Sequence, residues 1–140
     1  MAALSLTVVT PNREVVREEG MTLVLAPTID GQVGILPSHA PLVTNLASGT
    51  LEMRRDGESR YLSITGGFME VMSDKVVVLA EASEYAEDID LVRAERARDS
   101  AEHDLSVARQ TGDQDLSLRA RSALSRAKAR LRTTERAQGV

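Results

Sequence analysis

Cysteine and tryptophan are absent from this 140-residue chain, and its aromatic residues are only Tyr61, Phe68 and Tyr85. Without cysteine there are no disulfides and no thiolate metal sites, and the redox compartment is left undecided. So few rings weaken any reading that needs stacking platforms, so nucleic acid is not an expected partner and an aromatic sugar clamp loses ground as well. No uninterrupted apolar run approaches the roughly 20 residues of a membrane-crossing helix. The opening Met1-Ala2-Ala3-Leu4-Ser5 lacks the basic and apolar regions of a signal peptide. The expectation is a chain that meets a membrane only through its partners.

The residues of catalysis are equally scarce. His39 and His103 are the only histidines and lie in different halves. His39 sits in Pro37-Ser38-His39-Ala40-Pro41, where Ser38 superficially suggests a nucleophile beside a base. Neighbours in an extended segment rarely point at each other, and no third orienting group is identifiable. A loop histidine making a structural or interfacial hydrogen bond is the better reading. His103, beside Glu102 and Asp104, reads as a solvated helix residue. Neither belongs to a cluster with metal-ligand spacing. Gly66-Gly67 lacks the Lys-Ser/Thr of a phosphate loop, and Gly31-Gln32-Val33-Gly34 has no dinucleotide-binding continuation. The chain is expected not to be an enzyme: no catalytic residue and no metal site are identified.

What is present divides into two parts with different periods. Leu4, Leu6 and Val8 alternate with Ser5, Thr7 and Val9, as in a strand that buries one face. Pro11-Asn12 turns the chain; Met21, Leu23 and Leu25 alternate next, and Asp30-Gly31 turns it again. Thr50 to Arg54 and Arg60 to Ile64 flank Asp56-Gly57, a strong hairpin signal, and Phe68 to Met72 and Lys75 to Leu79 flank Ser73-Asp74 likewise. Turns at this frequency imply an antiparallel sandwich or flattened barrel, and the sandwich is preferred.

Beyond Glu81 the pattern becomes helical. Ala94, Ala97, Ala101, Leu105 and Ala108 form one stripe, and Leu116, Ala120, Ala123, Ala127 and Leu131 another. Between them, Gly112 suits a left-handed helix end and Asp113 a helix cap. The predicted fold is therefore α+β: an N-terminal antiparallel β-sandwich over residues 1–86, then a C-terminal antiparallel α-helical hairpin over residues 87–140.

Charge is segregated along the chain. Residues 1–86 carry six basic against eleven acidic side chains, and residues 87–115 carry four against nine. Residues 116–140 carry seven, Arg119, Arg121, Arg126, Lys128, Arg130, Arg132 and Arg136, against Glu135 alone. A basic segment on an acidic remainder signals interaction rather than a merely solvated face. Alanine stripes give strong helices joined by a thin seam, because each buried methylene is worth about 0.8 kcal/mol and Ala has few carbons to offer. That combination predicts a mobile hairpin over a permanently shut one. Arg126 and Arg130 share a helix face, with Arg93 opposite in a closed hairpin, so the three could grip phosphate.

Three groups of segments stand together in this chain: Leu6-Thr7-Val8-Val9-Thr10-Pro11, the long string Gly31-Gln32-Val33-Gly34-Ile35-Leu36-Pro37-Ser38-His39-Ala40-Pro41-Leu42, and Gly66-Gly67-Phe68-Met69-Glu70-Val71 with Val76 to Glu81. Together they resemble the epsilon subunit family of F-type ATP synthases. Ile89 to Ala94 and Leu124 to Leu131 extend the likeness through the helices. The resemblance implies a rotating central-stalk subunit that binds the gamma subunit and the c-ring, and that reaches the catalytic beta and alpha subunits. It implies a part in coupling proton flow to ATP synthesis, with the hairpin restraining ATP hydrolysis. It places Gln32, Ser38 and His39 at the gamma and c-ring contact, although many members carry Glu where this chain has Gln32. No cofactor is required. Regulatory ATP in the closed hairpin is implied through Ile89, Asp90, Arg93, Ala94, Arg126 and Arg130, with Ser100 standing where known binders have a further Arg. Arg119, Arg121, Lys128 and Arg132 complete a basic regulatory helix. The implied location is peripheral, on the cytoplasmic side of the cell membrane, or the thylakoid membrane in a photosynthetic host. The alternative is a free-standing β-sandwich binding module whose hairpin dimerises.

Overall fold

The computed structural model describes residues 2–139; Met1 and Val140, at the ends of the two expected units, lie outside the described residues. Ten strands precede two helices: β1 Leu4–Val9, β2 Glu14–Met21, β3 Leu23–Thr28, β4 Gly31–Ile35, β5 Leu42–Asn45, β6 Gly49–Arg55, β7 Glu58–Thr65, β8 Phe68–Met72, β9 Lys75–Leu79 and β10 Ala82–Tyr85, then α1 Leu91–Thr111 and α2 Gln114–Ala137. The strands form two five-stranded sheets, in the orders β2-β1-β9-β8-β5 and β10-β7-β6-β3-β4. Alternation along the strands sends Leu6, Val8, Val71, Val76 and Val78 from the first sheet, and Val24, Leu51, Leu62 and Ile64 from the second, into one shared core. The sandwich is therefore the realised architecture.

Both hairpin signals are met by the turn geometry. Asp56 and Gly57 have φ of 53° and 78°, and Ser73 and Asp74 have φ of 50° and 63°, the double positive φ of a type I′ turn.

Three local expectations are corrected. The sandwich is not wholly antiparallel: β1 runs parallel to β9, from Ser5 opposite Lys75 to Val9 opposite Leu79. A parallel pair needs a long connection, and here all the intervening strands supply it. Met21, Leu23 and Leu25 do not share a face. Met21 ends β2, and the chain crosses to the other sheet at Thr22, which shifts the inward phase by one and buries Val24 and Ala26 instead. The expected Asp30-Gly31 turn sits one residue earlier, because Gly31 already opens β4.

Gly67, between β7 and β8, lies hard against the end of β9. A Cβ there would sit 1.9 Å from the Leu79 carbonyl oxygen and 2.8 Å from Ala80 Cα, at a φ of 102°. Gly112, between the helices, shares a left-handed φ of 71° but has nothing within 4 Å of such a Cβ. Gly112→Ala is expected to cost about 1–2 kcal/mol, the left-handed penalty alone. Gly67→Ala should exceed about 4 kcal/mol, since backbone must move. Urea denaturation of the two variants checks the ordering.

The helices follow their predicted stripes. Asp90 caps α1 by accepting from Arg93 N at 3.1 Å, and Asp113 caps α2 by accepting from Leu116 N at 3.0 Å. Ala94, Ala101, Leu105 and Ala108 of α1 and Ala120 and Ala127 of α2 are buried. A second stripe on α2, Ala129 and Thr133, is buried as well. It points away from the alanine seam, and α2 packs through it on β6 and β7.

Candidate functional site

The outer faces of the two sheets are opposite in character. On the β6–β7 sheet, Thr50, Glu52, Tyr61 and Ser63 alternate with the core residues Leu51, Met53, Leu62 and Ile64, and the outward set is polar. This is the face that α2 covers. Thr133 Oγ1 donates to Ala129 O at 2.8 Å in its own helix, which leaves it to accept from Thr50 Oγ1 at 2.8 Å. Arg136 Nη2 donates to Glu52 Oε1 at 2.8 Å, and its guanidinium lies 5.2 Å from the Tyr61 ring centre. Arg130 Nε donates to Glu84 Oε1 at 2.7 Å.

Glu52 is the most confined charge of this interface, with its side chain 7 % exposed. Burial alone would push its carboxyl up, but the hydrogen bonds from Ser59 and Arg54 and the charges of Arg54 and Arg136 outweigh it and hold the group below the usual carboxylate range. Ser59 Oγ donates to Oε2 at 2.6 Å and Arg54 Nη2 at 2.8 Å, so Oε2 is held from within the sheet and Oε1 by the helix.

The other sheet carries the reverse pattern. Asn45, Phe68, Leu79 and Val9 form one cross-strand row on its outer face, and Val43, Glu70, Val77 and Thr7 the next. Phe68, Leu79, Val43 and Met72 are large, apolar and exposed, with Val43 at 70 %. A groove of about 490 Å³ runs between Val9, Pro11, Phe68 and Leu79. Among the described residues, nothing of the chain's own helices lies on this face: α2 packs on β6, β7 and the short 3₁₀ turn Ala86–Asp88. Contiguous exposed apolar surface marks an interaction site.

The sequence-predicted residues fall in several places. Gln32 is exposed on β4 and borders a cleft of about 290 Å³ with Ser48, Thr50, Arg132 and Arg136, beneath the end of α2. Ser38 and His39 lie instead in the loop after β4. Ser38 N donates to Asp74 Oδ1 at 2.7 Å, and His39 Nδ1 pairs with Ala40 O at 2.6 Å. Those bonds match a structural histidine, and the three residues do not form one cluster.

Asp90, Arg93, Ala94 and Arg130 line one cavity of about 350 Å³, together with Glu84 and Asp88. Ile89 precedes it in the chain, and its N–H donates to Ala86 O at 3.2 Å. Arg126 lines a separate groove with Asp104 and Arg119, and donates to Ser122 Oγ at 2.8 Å. Arg119, Arg121, Lys128 and Arg132 are all exposed. Glu52 and Thr133 were not singled out in the sequence, Thr50 was read only as a strand end and Arg136 only as one of seven bases. Their one signal is a carboxylate between the core residues Leu51 and Met53.

The junction between sandwich and hairpin is pinned from the sheet. Arg60 Nη2 donates to Glu87 Oε1 at 2.8 Å, and its guanidinium lies 4.2 Å from the Tyr85 ring centre. The Arg60 bond holds the Glu87 carboxyl below its ordinary value, and burial raises the Tyr85 phenol. Among the described residues there is no cluster of metal-ligating side chains, and no helix is long and apolar enough to cross a membrane.

Comparison with known proteins accords with this two-part build. The family described as ATP synthase, Delta/Epsilon chain, beta-sandwich domain matches residues 3–86, and its long alpha-helix domain matches residues 87–135. The chain is 44% identical over 132 residues to the ATP synthase epsilon chain of Symbiobacterium thermophilum, covering 94% of this chain and 93% of that one. It is 43% identical over 130 residues to the ATP synthase epsilon chain of Nitratidesulfovibrio vulgaris, covering 93% and 94% respectively. Its fold is similar, with a TM-score of 0.80 and 22% identity, to a chain in the Euglena gracilis mitochondrial ATP synthase OSCP/F1/c-ring structure, covering 100% of this chain and 83% of that one. A sandwich continued by a helical hairpin, matched along nearly its whole length, makes this chain a member of the ATP synthase delta/epsilon family.

Proposed function

We propose that the chain is the non-catalytic epsilon subunit of a rotary ATP synthase, coupling proton flow through the c-ring to ATP synthesis while its hairpin restrains ATP hydrolysis. The observation that carries this reading is the contrast between the two sheet faces. The bare apolar face around Phe68 and Leu79 suits lasting attachment to the gamma subunit, because burying it stabilises the complex by about 25 cal/mol per Å². The polar face under α2 suits a contact that is made and broken, because each of its hydrogen bonds is worth only about 1 kcal/mol net.

The ring-facing end is assigned to Gln32 and the Ser38–His39 loop. The exposed bases Arg119, Arg121, Lys128 and Arg132 are assigned to acidic surfaces of the catalytic beta and alpha subunits, by charge complementarity. The chain then sits peripherally on the cytoplasmic side of the cell membrane, or on the thylakoid membrane of a photosynthetic host, held there by the complex. Reconstitution with a gamma subunit tests the reading: a stable one-to-one complex is expected. A chain that ignores gamma and sediments as a homodimer would instead favour the free-standing binding module.

A second reading, regulatory ATP, is favoured by the cavity that Asp90, Arg93 and Arg130 share. Glu84 already engages Arg130 there, so a phosphate must displace a carboxylate and affinity should be modest. At ten times its dissociation constant, ATP should raise the melting temperature by about 3–5 °C. Arg93→Ala should remove that shift, whereas Arg126→Ala, outside the cavity, should keep most of it. No shift at millimolar ATP excludes the site.

A further inference from the structure

We propose that a three-point clasp at the C-terminal end of α2 sets how often the hairpin leaves the sandwich: Thr133 on Thr50, Arg136 on Glu52 and Arg130 on Glu84. This rests on the reading of the hairpin as a moving arm and assigns that motion to particular side chains.

Position is the first argument. All three α2 members fall between residues 130 and 136, near the end of a helix that runs from Gln114 to Ala137. The rest of the hairpin is held by helix packing on helix, through the alanine seam between α1 and α2. The arm is therefore fastened at one end only, and lifting that end frees the whole of it.

Retained partners are the second. A contact that opens readily must not leave buried polar atoms without partners, since each such orphan costs more than the bond itself returned. When α2 lifts, Thr133 keeps the Ala129 carbonyl of its own helix. Glu52 keeps Ser59 and Arg54, both on its own sheet. Oε1 of Glu52 and the Thr50 hydroxyl lose their partners, and the departing helix is what kept water from both. Glu84 and Arg130 are already about a third exposed, at 29% and 35% of their side chains, so water replaces that pair easily. Each half of the clasp is thus provided for in both states, which separates a reversible fastening from a permanent one.

Charge placement is the third. The clasp uses Arg130 and Arg136, while the exposed bases Arg121 and Lys128 take no part in it. Holding the arm down and presenting a basic surface are done by different residues of one helix, so they can be altered separately.

The absence of cysteine allows a clean test on the full chain. Spin labels at Glu58→Cys and Gln138→Cys, on the sheet and beyond the end of α2, report the arm's distance by electron–electron double resonance. Thr133→Val, Arg136→Gln and Arg130→Gln should each raise the lifted fraction about fivefold, the factor an ordinary net hydrogen bond sets. Combined, they should make the lifted arm the main population. Arg121→Gln with Lys128→Gln, the same loss of charge outside the clasp, should leave the distribution unchanged. The proposal is overturned if the triple variant keeps the parental distance, or if the control variant shifts it equally. Circular dichroism reports helix content: a loss confined to the triple variant would also overturn it, by showing that the contacts fold α2 rather than fasten it. The measurement needs no rotor, so a lifted arm that leaves hydrolysis unaltered would count against the regulatory function and not against the clasp.

Discussion

A chain carrying Val43→Lys and Phe68→Lys will fold normally and lose the gamma subunit. Both side chains are exposed on the outer face of the β5–β8–β9 sheet, so the core is untouched. Val43 stands directly across from Glu70, so a lysine there gains a cross-strand partner worth about 0.2–1 kcal/mol. At a docked interface Phe68→Lys would bury an unpaired ammonium and Val43→Lys a charged pair, each in place of an apolar anchor. Such central anchors are typically worth 2 kcal/mol or more, so the pair should weaken binding by about 10³-fold. Titration of gamma against the variant, with a thermal melt to verify folding, checks both halves. Undiminished affinity would mean that this face is not where gamma sits.

The second large effect concerns the arm. Deleting residues 88–140 should leave assembly intact and raise ATP hydrolysis by the complex. If the arm obstructs nine complexes in ten, its removal releases about tenfold more activity. The truncated chain should remain well behaved, because the uncovered surface is polar. Glu52 keeps Ser59 and Arg54, and Thr50 and Ser63 become hydrated. Steady-state hydrolysis of complexes built with full-length and truncated chains gives the comparison, and equal rates would remove the inhibitory role. The opposite response is expected of the clasp variants, which free the arm without removing it.

Much of this architecture could be read from local chemistry. Asp56-Gly57 and Ser73-Asp74 announced their turns because few residues accept two successive positive φ angles. Gly112 and Asp113 announced the break between helices for similarly local reasons. The parallel pairing of β1 with β9 was not legible, since alternation reports that a strand has two faces and not which strand lies beside it. The misphasing of Leu23 and Leu25 has the same origin: a chain that changes sheets at Thr22 resets its inward face without any mark in the hydrophobic pattern.

The candidate site was less legible than the fold. Thr50, Glu52 and Tyr61 look like ordinary solvent-facing residues of half-buried strands, and only the docking of α2 shows that they are covered. The alanine stripe identified the face of α2 that meets α1, while Ala129 and Thr133 lie off that stripe and carried no signal of their own. Phe68, Val43 and Leu79 stand out only once their neighbours are in register. Arginine spacing on one helix suggested a three-arginine grip, but the opposing helix decides which cavity each side chain borders, and Arg126 borders a different one from Arg93 and Arg130.

Hydroxyl-radical footprinting of the full chain, alone and with gamma, measures side-chain exposure on both faces in one experiment. Labelling at Phe68 and Met72 should fall sharply when gamma is added, while labelling at Tyr61, beneath α2, should hold steady or rise as the arm lifts. Protection of Tyr61 with Phe68 and Met72 unchanged would contradict a sandwich that docks by its bare apolar face and leaves its polar face to a detachable arm.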